Sequence, residues 1–550
     1  MSRTPRFRSA GPGYHPRMRR FAGTATPYRA LALGTVLLLG VANLPRALAG
    51  DQALFLWTAK RLDGGALLYR DIWDAKQPGI YALYWVSGAL FGFDEVGVHL
   101  GELVVLLIFA VVLQRTLPDL GLSRRAAALA PLAVVVPYQL LGTSWDLTQL
   151  EPLVGLPLYA AFWASVRARA LANATDDEPV SDPVSDPVSD PAREAVRLQV
   201  LAGTMIAVVA VFKLLYLPLG LLFLVWSVWG TPRRTRAVLA WVAGTALVGV
   251  PLLVWVSANG LVHEVWYTWV RFPRTSRVQA AQPLSTLTSN ARSFARTILP
   301  VGALAAVGLW ASRRRLAGWM ALALGWAALA TVLNLVQFWW RYLYWNLSVP
   351  VGLFAVVGTV HLARMITSRP AGRGRPVLTA AGATLVIAFL VFVAAWPGRA
   401  RYEATARYVV GAGDRQSLHA SEEPVYDDLP AVLDVLRAPD ARPGPVVVFG
   451  NPIVQLAAGR PQSGRIPGFL ANTLGERQWR ELAESMRRDP PAYVFIGSVQ
   501  GTSVQEFIDE RGGLVQAVLD EAYCPAADVP DGRWLVRCRE LRTSPELRSS

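Results

Sequence analysis

At 550 residues, with 53% hydrophobic residues, 20 Trp and a mean hydropathy of +0.33, the chain is too apolar for an ordinary soluble protein, and its apolar residues are gathered into long runs. The formal charge of +15 does not point to nucleic acid, because the arginines fall in short clusters between apolar runs rather than along one face, the distribution the positive-inside rule describes. His15, His99, His263, His361 and His419 form no pair at metal-ligand spacing, and no P-loop or dinucleotide fingerprint appears, which argues against a zinc site and against ATP-driven transport.

An Arg-rich tail, residues 1–27, precedes a first apolar run at 28–49 that is long enough to cross a bilayer and reads as an uncleaved signal anchor. Residues 50–79, GDQALFLWTAKRLDGGALLYRDIWDAKQPG, then open a first external loop that runs to residue 95. Within it Ala53, Leu54, Leu56, Trp57 and Leu62 recur at near-helical spacing, which predicts a short amphipathic helix lying on the membrane surface with Asp51 in its first turn, facing outward. Further spans are predicted at 96–115, 125–142, 152–171, 197–212, 214–229, 235–256, 297–311, 317–337, 343–363 and 377–396, about eleven in all. Arg17, Arg19 and Arg20, then Arg115, Arg124 and Arg125, Arg233, Arg234 and Arg236, Arg313 to Arg315, and Arg364, Arg369, Arg373 and Arg375 all fall on one side of this arrangement. The N-terminus is therefore expected in the cytoplasm and, with an odd number of spans, the C-terminal region outside.

The cytoplasmic loop 172–196 carries PVSDPVSDPVSDP, whose proline at every fourth position forbids a continuing helix and marks a disordered linker. After Trp396 the composition becomes that of a soluble domain, 397–550, with strands expected at 446–450, 492–498 and 533–540 and helices at 427–437 and 475–488, a small α/β domain. Cys524 and Cys538 flank the turn-like Val529-Pro530-Asp531-Gly532, so a cross-strand disulfide is allowed in an exported domain without being required.

Several residues have types and positions suited to chemistry. Asp51 is either the N-terminal acid of a surface helix or a general base. Asp71, Asp74 and Lys76 share its loop. The second external loop, 143–151, places Asp146 and Glu151 at the entrance to a span, where a carboxylate costs about 2.5–3.5 kcal/mol to insert and is a functional candidate by default; helix N-terminal acids favoured by the macrodipole are the alternative. Lys213, between two apolar runs, either snorkels or meets an anion. Arg271, Arg274 and Arg277, in WYTWVRFPRTSR, either gather lipid phosphate or anchor their loop at the interface. Phe338 to Trp345 brings Arg341 and Tyr344 among aromatics at the start of a span.

The run from Asp51 through LYRDIWDAKQPGIYALYW resembles the first external loop of GT-C membrane glycosyltransferases, the class that includes the family 39 protein O-mannosyltransferases and bacterial aminoarabinose transferases. Those enzymes show an Asp-Glu pair after the first span, then an Asp and a Lys-Pro-Pro-like turn. Here the pair is Asp51-Gln52 and the turn Lys76-Gln77-Pro78. The resemblance covers about residues 28–365 and implies a GT-C-like polytopic α-helical membrane protein with a transferase domain at 28–396. It implies an inverting transfer of sugar from a polyprenyl-phosphate donor to an envelope glycan, lipid or protein outside a bacterial inner membrane. Under it Asp51 is the catalytic base, Glu151 and Asp146 position the acceptor or a cation, and Lys76, Lys213 and Arg341 hold the donor phosphate. Asp71, Asp74, Tyr344, Arg271 and Arg274 are secondary candidates. The family's His beside the position of Tyr344 is missing, so its role does not transfer. A divalent cation, Mg or Mn, held by Asp51 and Glu151 is compatible with this set, although the second acid of the pair is absent. The rival from another class is a transporter or flippase of lipid-linked sugars, which predicts midplane acids and repeated halves.

Overall fold

The computed structural model describes residues 25–174, 190–279, 283–314, 316, 318–337, 339–367, 398–499 and 501–539. Most of the basic tail, the proline repeat, the 368–397 stretch with its arginines and the last expected span, Arg315, Phe338 and the side chain of Arg277 lie outside the described residues.

Apolar helices follow one another through residue 367, starting with α1 (Thr26–Asn43). Among the described residues four helices are long and apolar enough to cross a membrane by length and composition, within 95–120, 191–212, 234–258 and 341–366, and five if the bent pair Leu284–Thr297 and Leu299–Ser312 counts as one. Several expected spans are broken. Residues 124–141 form three short helices, interrupted at Pro131 and Pro137, because proline lacks the N–H that would continue the ladder. The pair before residue 312 bends by 82° ahead of Pro300, and the run at 214–229 opens with a tight turn before its helix starts at Leu217, next to Pro218.

The first loop departs most from expectation. It contains two helices, α2 (Asp51–Asp63) and α3 (Pro78–Phe91), followed by α4 (Glu95–Thr116). In α2 every residue from Gln52 to Ala59 is buried, so it is not an amphipathic helix resting on a membrane surface. The apolar spacing was read correctly, but the polar positions Gln52 and Thr58 are covered as well. What covers them is the rest of the fold. Leu54 and Trp57 share a core with Val447, Phe449 and Trp479 of the C-terminal domain, and Phe55 packs edge-on against Tyr81 and Tyr84 of α3. Unforeseen in the sequence, α3 starts with proline at its first turn and exposes Trp85, Val86, Leu90 and Phe91.

The C-terminal domain carries a sheet of order β1-β2-β5-β4, with β1 (Val446–Phe449), β2 (Tyr493–Val499), β3 (Thr502–Ser503) attached to β2, β4 (Tyr523–Val529) and β5 (Gly532–Arg537). β1 and β2 are parallel and the β2–β5 and β5–β4 pairs antiparallel. The expected helices appear at Val425–Arg437 and Glu476–Arg488. β4 is an edge strand with an irregularity between Pro525 and Ala527, the position where a sheet tolerates proline. Cys524 and Cys538 are joined across this hairpin, with Cα atoms 5.8 Å apart.

This domain is clamped to the helical part. Arg46, just after α1, pairs with Glu422 at 2.7 Å, and Arg401 donates to the carbonyls of Gly142 and Leu140. Arg465 donates to the Tyr69 carbonyl and pairs with Glu264 and Glu481. Two stretches, 46–74 and 140–146, are thus tied to the same neighbour.

Candidate active site

Asp51 starts α2 because Gly50 precedes it with φ +47°, a conformation glycine adopts without strain, and a Cβ at Gly50 would run into the Trp145 ring. The turn from Leu68 to Ile72, with Tyr69 at φ 71°, brings Lys76 back toward α2. The Tyr69 hydroxyl donates to the Lys76 carbonyl at 2.7 Å and accepts from the Trp269 indole at 3.0 Å. Lys76 Nζ then lies 3.4 Å from Asp51 Oδ1 and 3.7 Å from Asp74. Burial by itself would lower the Lys76 ammonium, but the Asp51 and Asp74 carboxylates outweigh it and hold its pKa above the ordinary lysine value. Asp74 is fully buried and accepts from the Tyr81 hydroxyl at 2.5 Å.

A second ammonium–carboxylate pair stands beside this one. Lys213, at the end of the Pro191–Phe212 helix, places Nζ 2.5 Å from Glu151 Oε1. Lys213 also lies over the Tyr216 ring at 5.5 Å, and the field of Glu151 reaches Lys76. Glu151 Oε2 is buried with no hydrogen-bond partner among the described residues. The other Asp51 oxygen, Oδ2, accepts from the Tyr342 hydroxyl at 3.4 Å. These side chains come from five separate stretches of chain, and Asp51 and Lys76 keep 14% and 22% of their side-chain surface. The cluster is half-buried, not sealed.

Arg341 meets Asp146 instead of standing open. It pairs with Asp146 Oδ2 and donates to Thr143 Oγ1 at 2.9 Å, while Asp146 also accepts from the Thr143 amide at 2.6 Å. This pair fixes the turn that carries the neighbouring Tyr342. Tyr344 points elsewhere and stacks on Phe294 with centroids 5.5 Å apart. Asp71 caps the Leu67 amide at 2.8 Å and pairs with exposed Arg70, so it shapes the turn without reaching Asp51. Arg271 and Arg274 are exposed, on the 267–279 segment.

A divalent cation does not fit this donor set. Asp51 faces an ammonium and a phenol, and Glu151 faces an ammonium. Among the described residues no three His, Cys, Asp or Glu side chains come together to hold an ion. Sequence reasoning missed Tyr342 and Tyr81, whose partners are 291 and 7 residues away. Only the aromatic density around Tyr342 hinted at it, and membrane-belt residues give the same signal.

No family model matches the chain, and no curated protein matches it. Solved structures do. ArnT from Cupriavidus metallidurans superposes with a TM-score of 0.53 in a structure bound to undecaprenyl phosphate and 0.54 in the apo state, at 15% and 14% identity, each over 93% of this chain and 98% of the other. The archaeal oligosaccharyltransferase AglB from Archaeoglobus fulgidus, in complex with an inhibitory peptide and a dolichol-phosphate, superposes with a TM-score of 0.50 at 13% identity over 90% of this chain and 73% of the other. At such identities the likeness is one of fold, and the chain has the GT-C membrane fold that its first loop resembles.

Proposed function

We propose that the chain is an inverting membrane glycosyltransferase that moves a sugar from a polyprenyl-phosphate donor to a hydroxyl on an acceptor outside the cytoplasm. The observation that carries this reading is the half-open meeting of Asp51 with Lys76 and Tyr342, beside the Lys213–Glu151 pair. A carboxylate next to two ammonium groups is what the reaction needs. The shared fold supports it, since the ArnT and AglB structures hold undecaprenyl phosphate and a dolichol-phosphate.

In this mechanism Asp51 takes the proton of the acceptor hydroxyl as its oxygen bonds to the anomeric carbon. The bond from that carbon to the phosphate oxygen breaks with inversion, and its electron pair leaves on the polyprenyl phosphate. Lys76 and Lys213 neutralise the departing phosphate. Glu151 Oε2, a buried oxygen with no hydrogen-bond partner among the described residues, accepts a hydrogen bond from the acceptor. Arg341 is engaged by Asp146 and serves the donor indirectly, by holding Tyr342 against Asp51. The N-terminus is cytoplasmic and the C-terminal domain outside, where a disulfide such as Cys524–Cys538 persists.

The test is transfer of radiolabelled sugar from a panel of polyprenyl-phosphate donors to envelope acceptors, in membranes containing the wild-type chain or a folded Asp51→Asn variant. Transfer by the wild type alone supports the reading. Movement of lipid-linked sugar across the membrane, with no transfer from any donor, replaces it with a flippase.

A further inference from the structure

The segment 143–151, which carries both Asp146 and Glu151, is gripped from two directions by side chains that make no part of the charged cluster. From one side comes Gln52, the neighbour of Asp51 on α2, which is fully buried. Its amide nitrogen donates to the carbonyls of Ser144 and Leu147, and its amide oxygen accepts from the Ala49 amide at 3.0 Å. From the other side comes Glu102 of α4, 4% exposed. Its Oε1 accepts from the Thr148 amide at 2.8 Å and from the Tyr138 hydroxyl, while His99, one turn away on α4, lies 3.9 Å from Oε2. Thr148 has φ +48°, a left-handed conformation uncommon for a β-branched residue. The Tyr84 hydroxyl of α3 completes the grip, 2.9 Å from Thr148 Oγ1.

We propose that Gln52 and Glu102 are positioning residues that together set the 143–151 segment, and with it Glu151 and Asp146, at a defined distance from Asp51. The chemistry of each is specific. Gln52 must donate, because two carbonyl oxygens face its terminal group; a carboxylate of the same shape brings a third acceptor to them and no proton. Glu102 must accept, because an amide proton and a phenol proton converge on one of its oxygens. The Thr148 N–H, at a backbone angle that needs support, is shared between Glu102 Oε1 at 2.8 Å and the Tyr138 hydroxyl oxygen at 2.9 Å, and Glu102 in turn holds that hydroxyl, so both acceptors depend on the carboxylate. A buried carboxylate on an apolar helix is costly, and here its use is to fix a strained turn rather than to meet substrate. The effect on turnover rests on the transferase reading above; the effect on the segment does not.

The experiment joins hydrogen exchange of the full chain in nanodiscs with steady-state kinetics for Q52E, E102L and E102Q. In Q52E and E102L, exchange of the 143–151 amides rises by about tenfold or more while that of 446–499 stays as in wild type. In the same two variants kcat falls about 10- to 100-fold and the donor KM moves less than about threefold, the split expected of misplaced groups. E102Q keeps an acceptor oxygen for Thr148 and Tyr138 and loses far less of either. Unchanged exchange of 143–151 in Q52E and E102L overturns the proposal, as does an E102Q variant as damaged as E102L. If E102L is not recovered folded, Q52E decides by itself. A wild type with no transfer activity sinks the transferase reading and leaves the exchange result to judge this one.

Discussion

Two ion pairs lie five residues apart along the chain and are built in opposite ways. Arg46 and Glu422 keep 1% and 3% of their side-chain surface and meet at 2.7 Å. Asp51 and Lys76 keep 14% and 22% and stand 3.4 Å apart. Arg46 is further tied to Asn43 and the Gly142 carbonyl, so its charge is consumed by the fold. Among the described residues Asp51 shares its carboxylate with Lys76 and Tyr342 through long hydrogen bonds, so the groups can be parted by an incoming phosphate or hydroxyl. Pairing alone does not distinguish a structural clamp from a working site; burial and the number of other partners do.

The largest expected effect breaks the open pair. Asp51→Asn should lower transfer by about 100- to 10,000-fold with a small fall in melting temperature, since the pair is long, keeps some water access, and leaves Lys76 with Asp74 at 3.7 Å. A large fall in melting temperature with it would make Asp51 structural. Next comes the closed pair. Arg46→Ala leaves buried Glu422 without its 2.7 Å partner, with the field of the more distant Arg401 left to offset it, and should cost about 3–5 kcal/mol of stability in thermal or chemical unfolding, with the kcat of the molecules that remain folded little changed.

Glu423 sharpens the contrast from the neighbouring position. It is buried beside Asn451 and Trp145 with no cation among the hydrogen-bond and charge partners that set its pKa, and burial, opposed by hydrogen bonds from Trp145 and Asn451, pushes its carboxyl up to about 7. A raised carboxyl pKa means that the stability it contributes is present below its unfolded value near 4.5 and is lost as pH rises through 7. Glu423→Gln should therefore gain on the order of 1–3 kcal/mol over wild type at pH 8 and little at pH 4. Melting curves for the two proteins that run parallel from pH 4 to pH 8 would refute this. The smallest effect concerns the second pair of the site, in which Glu151 is buried and Lys213 keeps 19% of its side-chain surface. Lys213→Ala should raise the donor KM by roughly tenfold, or about 1.4 kcal/mol, measured with a soluble short-chain donor; an unchanged KM with a reduced melting temperature would assign Lys213 to the fold.

Much of the arrangement was legible because membranes impose simple rules on sequence. Apolar runs had to be helical, and the three expected strands and both expected helices of the C-terminal domain stand where alternation and helical spacing put them. Asp51, Lys76, Glu151 and Lys213 were all named from residue type and position, and the fold brings them into two adjacent pairs. The prediction for α2 failed for a physical reason. Spacing reports which residues are apolar, not what stands opposite the polar ones. Here the 144–147 turn covers Gln52, while Leu54 and Trp57 pack on the C-terminal domain nearly four hundred residues away.

Glu102 left a signal that went unused, a carboxylate inside an apolar run. Gln52 was visible only as the residue in place of the family's second acid, and nothing local told that it is buried, because a buried amide and an exposed one are written alike in sequence. Composition and hydropathy by themselves determined that this chain is a helical membrane protein with a mixed terminal domain, since apolar segment length and strand alternation are local properties. Only the tertiary structure decided which charges are spent in clamps and which stay available. That choice depends on distance, burial and competing partners between segments remote in the chain, and no local pattern encodes those.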